Sequence, residues 1–533
     1  MKLFQPSLSP VAYKRNIPII LALLVVVSVY QFYHSQLSFS TTYQDFKSSL
    51  PNLPELPHFS LPDWNNLPHI TSPFHSTKPC PGSNFWKEFA PLLVAGKPKI
   101  SRQEDEEAVK LTLKAPTQPR FHPGWETSQP KNRLEVSDQD VSALHKSHEI
   151  FLSSLCIPDE HLPKLEYTPG TRGIVTSAGG DYFPVLLVSL LMLRRTGSNL
   201  PVEVLVASED EYEPLICETV LPALNATCIV LSRILLTSRA HSGLVITGYQ
   251  LKIFAILFST FEDLLFLDAD NFPVHPPEIL FDTKPYTNNN LVLWPDLWTP
   301  TFSPHLSSII GVDAEIMQHR PTIEAGQILV SRKTHAKTLL LAAYYNMFGE
   351  FYFPLQTQGG PGQGDKETFA AAALVLNETL YTVAQMPSHL GTPGNGAAVL
   401  QADPIADYHL SSLVRSENDT SIAEPTSKPP PFFIHAGWPP KLNALHNFRS
   451  ERQFGSEENS KALFGEDVEP IVWGYMVEMA CEGMLEFESW GGGNKSDTGV
   501  CGQTRRSFRR MFGREYERGG GDWDARRVRE GYP

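Results

Sequence analysis

The chain has 533 residues, 41% apolar and 19% charged, with a formal net charge of -14. That length allows a large buried core, as two or three domains or as one large domain with additions. The acidic balance, with no basic stripe interleaved with aromatics, argues against a general nucleic-acid binder, so no nucleic-acid partner is expected.

In chain order, Lys14 and Arg15 end a short tail (residues 1–15) and precede the uncharged stretch "NIPIILALLVVVSVYQFY" from Asn16 to Tyr33. At about 1.5 Å per residue this stretch can just cross a thin bilayer core. With the basic residues in front of it, residues 16–33 read as a transmembrane signal anchor whose tail stays cytosolic. The rival is a cleaved signal peptide, but "HSQLSFSTTYQ" offers no small-x-small cleavage site. Residues 34–83, rich in Pro and Ser, read as an extended stem, because regularly spaced prolines block helix and sheet. An anchor followed by a stiff stem is the layout of a single-pass type II protein of the Golgi membrane with its body in the lumen.

Sequons at Asn225, Asn377, Asn418 and Asn494 agree with a luminal body. So do six cysteines without CxxC spacing, which suit disulfides in an oxidising compartment. Cys217 with Cys228 is the favoured pair, since a helix and a short turn bring them together.

Residues 84–170 read as partly helical and carry no clear chemistry. From Arg172 the pattern becomes regular: strands "GIVTSAGG", "VEVLVA", "TCIVL" and "LLFL" alternate with helices such as "DYFPVLLVSLLMLRRTG", which Gly197 stops. Such alternation predicts an α/β fold with a parallel sheet covered on both faces, and ligands beyond the carboxyl ends of its strands. Further units follow in "LVLWPDLW", "EAGQILVS" and the glycine-rich "LQTQGGPGQGDKETF". Residues 415–431 read as a solvated loop, residues 451–504 as a C-terminal extension, and the Arg-rich tail of residues 505–533 as disordered for want of an apolar stripe.

The chemistry concentrates where "LLFL" runs into Asp268 and Asp270. A calcium loop would need Gly and Glu where the chain has Pro273 and Ile279. An aspartyl-nucleophile phosphatase would place Thr or Val where Phe272 stands. A sugar-nucleotide transferase fits better: residues two apart in an extended segment point together, and two carboxylates can hold Mn2+ or Mg2+ against a diphosphate leaving group. In "FFIHAGWPPKLN", His435 ends a second apolar strand and supplies a third ligand. Gly437 permits close backbone approach, and Lys441 can meet a phosphate.

Taken together, "RGIVTSAGGDYFPVLLVSLLMLRRTGSNLPVEVLV", "LFLDADNFPVHPPEILFD", "LVLWPDLW", "EAGQILVSRKTHAKTLLLAAYYN" and "TQGGPGQGDKETFAAAAL" resemble the fungal α-mannosyltransferases of glycosyltransferase family 71. That is the branch adding α-1,2-mannose to cell-wall mannan. The resemblance implies a GT-A fold, a Rossmann-like nucleotide-sugar transferase domain over residues 171–450, behind the anchor and stem. It also implies GDP-mannose as donor, Mn2+ as cofactor and retention of configuration. The partners would be an α-mannose oligosaccharide or mannoprotein acceptor, the Golgi membrane and a mannosyltransferase complex. An α-1,3 linkage, or a lectin-like scaffold without catalysis, is the alternative.

The expected metal ligands are Asp268, Asp270 and His435, with Asp268 also facing the donor ribose and Lys441 and Gly437 beside the diphosphate. Thr176, Gly179 and Gly180 form the nucleotide wall or an ordinary strand–helix turn. Lys252 reaches the donor phosphate or is a surface lysine. Asp365 is either a helix N-cap or a catalytic carboxylate facing mannose, with Glu367 beside it. Glu324 and Gln327 contact the transferring mannose or the acceptor, or are structural. Trp294, Asp296 and Trp298 form an acceptor groove or belong to the core.

Overall fold

The computed structural model describes residues 82–100, 110–111, 121, 131–238, 243–391, 398–416, 428–438, 441–481, 485–491 and 499–514. The expected anchor, nearly all of the stem, Cys80, the sequons at Asn418 and Asn494, most of the 415–431 loop and the tail beyond Arg514 lie outside them.

Eleven strands build the two sheets that matter for the site. They are β1 (Thr168–Ser177), β2 (Val202–Val206), β3 (Ala226–Val230), β4 (Phe261–Leu267), β5 (Asn271–Pro273), β6 (Leu291–Pro295), β7 (Ile323–Ser331), β8 (Tyr381–Thr382), β9 (Ser388–Leu390), β10 (Ala398–Ala402) and β11 (Pro431–His435). The larger sheet has the order β8-β6-β7-β4-β1-β2-β3, and the smaller the order β9-β10-β11-β5. Strands β4, β1, β2 and β3 are mutually parallel, as the alternation of strands and helices predicts. β7 instead runs antiparallel to both β4 and β6, so the sheet is mixed rather than parallel. The sequence signal for β7 is an apolar run, and an apolar run carries no direction.

Both faces of the larger sheet are covered, which is why its strands read as continuous apolar runs. Along β4, Leu264 and Phe266 enter one core while Leu265 and Leu267 enter the other, the period of two that a strand imposes. One core includes helices Ser83–Ala95 and Asp138–Leu155, through Phe85, Trp86, Phe89 and Phe151. The second helix starts where Ser137 accepts from the Asp140 amide, with Asp138 and Asp140 favouring the positive end of the helix. The 84–170 segment therefore has no core of its own. The opposite core takes in helix Tyr182–Arg195, followed by Gly197 at φ 89°, and the C-terminal helices Val468–Cys481 and Val500–Phe512.

The last helix corrects the expectation of a disordered tail from Arg505. Val500, Cys501, Thr504, Ser507 and Phe508 form a buried stripe at helical spacing, and Arg505, Arg506, Arg509 and Arg510 are exposed. Cys217–Cys228 is bonded, the expected pair, and Cys481–Cys501 ties the last two long helices together. Cys156 is an exposed free thiol. Asn225 and Asn377, with their Thr227 and Thr379, are exposed.

Trp294 corrects a second expectation. It sits in the middle of the core at 0% exposure, its indole N–H donating to Ala402 O at 2.9 Å and its ring edge-on to Phe433. It joins the two sheets and cannot line an acceptor groove. Trp294→Ala should lower stability by about 3–5 kcal/mol in chemical denaturation. The acceptor KM of the protein that remains folded should be unchanged.

Glu469 is also buried, accepting from the amides of Gln453 and Phe454 with Arg452 alongside. Burial pushes its carboxyl up to about 7, against the lowering pull of those amides. A raised carboxyl means the folded state binds the proton more tightly than the unfolded one. Stability should therefore fall as pH rises from about 4.5 to about 7. Unfolding midpoints across that range should show a shallower fall for Glu469→Gln than for the native chain.

Candidate active site

β4 leaves the larger sheet at Leu267, and β5 begins the smaller sheet at Asn271. Asp268, Ala269 and Asp270 span the junction. The Asp268 amide donates to Gly326 O at 2.9 Å, and Asp270 O accepts from the Ala436 amide at 2.8 Å, so each sheet holds one end of the segment. Pairing of β5 with β11 sets His435 opposite Asn271, beside Asp270.

Asp268, Asp270 and His435 each offer a ligand atom, and these atoms lie within 4.8 Å of one another. His435 Nε2 stands 3.2 Å from Asp270 Oδ1 and 3.9 Å from Asp268 Oδ2. Two carboxylate oxygens and an imidazole nitrogen suit a hard or borderline divalent ion, so the residues fit the expected metal. Asp270 is only 2% exposed, and burial disfavours its charge; His435 and Lys441 nonetheless hold its carboxyl well below the usual range. Lys441 Nζ reaches Asp270 Oδ2 at 2.7 Å and lies over the ring of Tyr182, 4.9 Å from its centroid. Without an ion, burial opposes the charge of His435 as well, but Glu324 and Asp270 keep it protonated well above its ordinary value. An ion taking Nε2 would replace that proton.

Around this centre lies a second tier of charges. Lys252 is buried: its Nζ donates to Ala325 O at 2.6 Å and lies 3.1 Å from Asp268 Oδ1 and 3.4 Å from Asp365 Oδ2. It is neither a surface lysine nor free to reach a phosphate; it joins Asp268 to Asp365. Asp365 does not cap the following helix with its side chain. Burial raises its carboxyl, against the lowering effect of Lys252. Glu367 faces away, accepting from Arg320 and from the Ile323 amide at 2.7 Å each, which makes it a brace for the start of β7 rather than a catalytic group.

Glu324 and Gln327 come from the antiparallel β7, whose first residues lie beside the carboxyl end of β4. Glu324 Oε1 is 3.1 Å from His435 Nδ1 and accepts from the Gly326 amide at 2.7 Å. Burial opposes its ionisation, yet His435, Lys252 and that amide hold it down to about 2. Gln327 is wholly buried: it donates to Glu324 Oε2 at 2.7 Å and accepts from Asn271 at 2.6 Å. Gln327 is thus sealed from solvent, while Glu324 keeps 15% side-chain exposure.

At the carboxyl end of β1, buried Thr176 borders a small apolar-walled cavity with Ile174, Leu186, Ser189, Asp268 and Asn271. Gly179 is where Glu211 closes in: a Cβ there would lie 2.2 Å from Glu211 Oε2. At Gly437 a Cβ would lie 3.3 Å from His435 Nε2. Asp296 is tied to Lys366 at 2.7 Å and to the Leu297 amide, and burial raises its carboxyl despite that lysine. Half-buried Trp298 accepts at its carbonyl from both donors of Thr322. Sequence reasoning missed Asn271, Gln401, Tyr182 and Glu211. Asn271, next to Asp270, and Tyr182, two residues after Gly180, lay close enough to a motif to be found.

The family described as mannosyltransferase, putative, matches residues 171–321 and 312–412. Alpha-1,2-mannosyltransferase MNN24 of Candida albicans is 32% identical over 420 residues, covering 65% of this chain and 58% of that protein. Alpha-1,2-mannosyltransferase MNN22 of the same organism is 38% identical over 322 residues, 52% of this chain and 54% of that protein. Alpha-1,2-mannosyltransferase MNN2 of Saccharomyces cerevisiae is 34% identical over 320 residues, 52% of each. The chain thus spans about half to three-fifths of the length of these curated relatives. A solved galactosyltransferase, LgtC, in complex with donor and acceptor sugar analogues, aligns with 55% of this chain and 96% of that chain at 14% identity and a TM-score of 0.31. Residues 171–412 match the model of this mannosyltransferase family, and the chain is similar in sequence to the fungal α-1,2-mannosyltransferases.

Proposed function

We propose that the chain transfers mannose from GDP-mannose to α-mannose acceptors of mannan or N-glycan outer chains. The linkage is α-1,2, formed with retention on a GT-A scaffold in the Golgi lumen. The observation that carries this reading is the meeting of Asp268, Asp270 and His435 at the junction of the two sheets, with both aspartates inside the stretch that matches the mannosyltransferase family.

Asp268, Asp270 and His435 would hold Mn2+, or Mg2+ in its place. Such an ion neutralises the charge that develops on a departing diphosphate. Lys441 is the more exposed partner of Asp270. Its backbone is fixed by a bond to Trp438 O and by Asn447, which donates to its carbonyl, while its side chain is 27% exposed. A long lysine there can turn from Asp270 to a phosphate oxygen. Buried Lys252 holds Asp268 and Asp365 in register, so the carboxylate set is positioned before substrate arrives. Asp365 and the diphosphate are the two candidates for guiding retention, by nucleophilic or front-side attack.

The test uses the full-length chain, purified in detergent, with Mn2+, an α-mannose oligosaccharide and a panel of nucleotide sugars. Transfer is expected from GDP-mannose alone, abolished by chelator and lowered at least about a hundred-fold by Asp270→Asn. Linkage analysis of the product should return α-1,2-mannose, and an α-1,3 product would correct the linkage alone. A folded protein that binds mannan and transfers from no donor would refute the reading and leave a lectin-like scaffold.

A further inference from the structure

On the reading that Asp268, Asp270 and His435 hold a divalent cation, we propose that Glu324 is a positioning residue for the cation. It acts by orienting His435 and does not contact sugar. It belongs to a closed polar ring that locks the His435 imidazole with Nδ1 turned inward and Nε2 turned to the carboxylates.

The ring can be followed atom by atom. His435 Nε2 faces Asp270 Oδ1 at 3.2 Å, and its Nδ1 faces Glu324 Oε1 at 3.1 Å. The second oxygen of Glu324 accepts from Gln327 Nε2 at 2.7 Å and lies 3.5 Å from Gln401 Nε2. Gln327 Oε1 in turn accepts from Asn271 Nδ2 at 2.6 Å, and the same nitrogen donates to Gly326 O at 2.8 Å. Asn271 is the chain neighbour of Asp270, and the ring closes. Gln327 and Gln401 are wholly buried and Asn271 is 1% exposed, so the inner part of the ring is shielded from water, while His435 and Glu324 each keep 15% side-chain exposure toward the site. Two sheets contribute to the ring, β7 from the larger and β5, β10 and β11 from the smaller.

Gly326 provides a second, independent observation. A Cβ there would lie 2.6 Å from Glu324 Oε1 and 2.6 Å from both Cε1 and Nδ1 of His435. The imidazole and the carboxylate have therefore closed onto the backbone of β7, leaving no room for a side chain. A histidine that ligates through Nε2 presents its lone pair there and keeps its proton on Nδ1, where a carboxylate acceptor fixes both the tautomer and the plane of the ring. Glu324 meets that requirement, and a sugar hydroxyl would have to displace His435 to reach Oε1.

The test measures Mn2+ binding to the purified full-length chain by electron paramagnetic resonance, with no sugar nucleotide present. Native protein, Glu324→Gln, Gly326→Ala and Asp270→Asn are compared, each with a thermal melt to show that it is folded. Glu324→Gln should weaken Mn2+ binding about 10- to 100-fold. Gly326→Ala, which removes no ligand, should weaken it in the same direction. Excess Mn2+ should restore the transfer rate of Glu324→Gln without any change in acceptor KM. Native Mn2+ affinity in either folded variant, with Asp270→Asn defective, would overturn the positioning role and leave the metal site standing. A raised acceptor KM in Glu324→Gln at unchanged Mn2+ affinity would give Glu324 back to the sugar. A native chain that binds no Mn2+ would overturn both the proposal and the metal reading.

Discussion

A nearly buried carboxylate controls the architecture of this protein. Asp270 sits at 2% exposure where the chain passes from one sheet to the other, and its charge survives there only because His435 and Lys441 stand against it. Removing a carboxylate from water without partners costs several kcal/mol, so the geometry of its partners is a condition of the fold as well as of the site. The three-residue crossing from β4 to β5 leaves little freedom: one sheet holds the Asp268 amide and the other holds the Asp270 carbonyl.

The mixed sheet follows the same logic. Had β7 run parallel to β4, its first residues would lie at the far end of the sheet, away from the acids. Running antiparallel, it places Glu324 through Gln327 beside Asp268, where the Gly326 carbonyl receives the Asp268 amide. One reversal of direction therefore supplies Glu324, the Ala325 carbonyl that anchors Lys252, and the glycine against which the histidine packs. The fold concentrates charge at this pole and buries apolar side chains on both faces behind it.

Several residues look equivalent in sequence and separate sharply in space. Asp365 and Glu367 stand two apart after the same glycine-rich loop. Yet one joins Lys252 beside the acids, while the other braces the backbone of Ile323. Trp294 and Trp298 share a short aromatic stretch, but Trp294 is sealed between the sheets and Trp298 is half-buried at the strand's exit. The chain also links its peripheral helices to these two cores, so the expected N-terminal and C-terminal parts close the faces of the sheet rather than standing apart.

The local sequence determined the alternating strands and helices from Arg172 to the Asp268 segment, the Cys217–Cys228 bond, and the identity of Asp268, Asp270 and His435 as candidate ligands. These depend on patterns a few residues long: apolar runs, glycine stops, a two-residue spacing of acids and a histidine at a strand end. Tertiary structure alone decided the direction of β7, the inward turn of Lys252, the closing of the Asn271–Gln327–Glu324–His435 ring, and the burial of Trp294. Each of these depends on which strand lies next to which, and strand neighbours are set by packing between segments tens to more than a hundred residues apart. An apolar strand reads the same in either direction, and a lysine reads the same whether it meets water or two carboxylates.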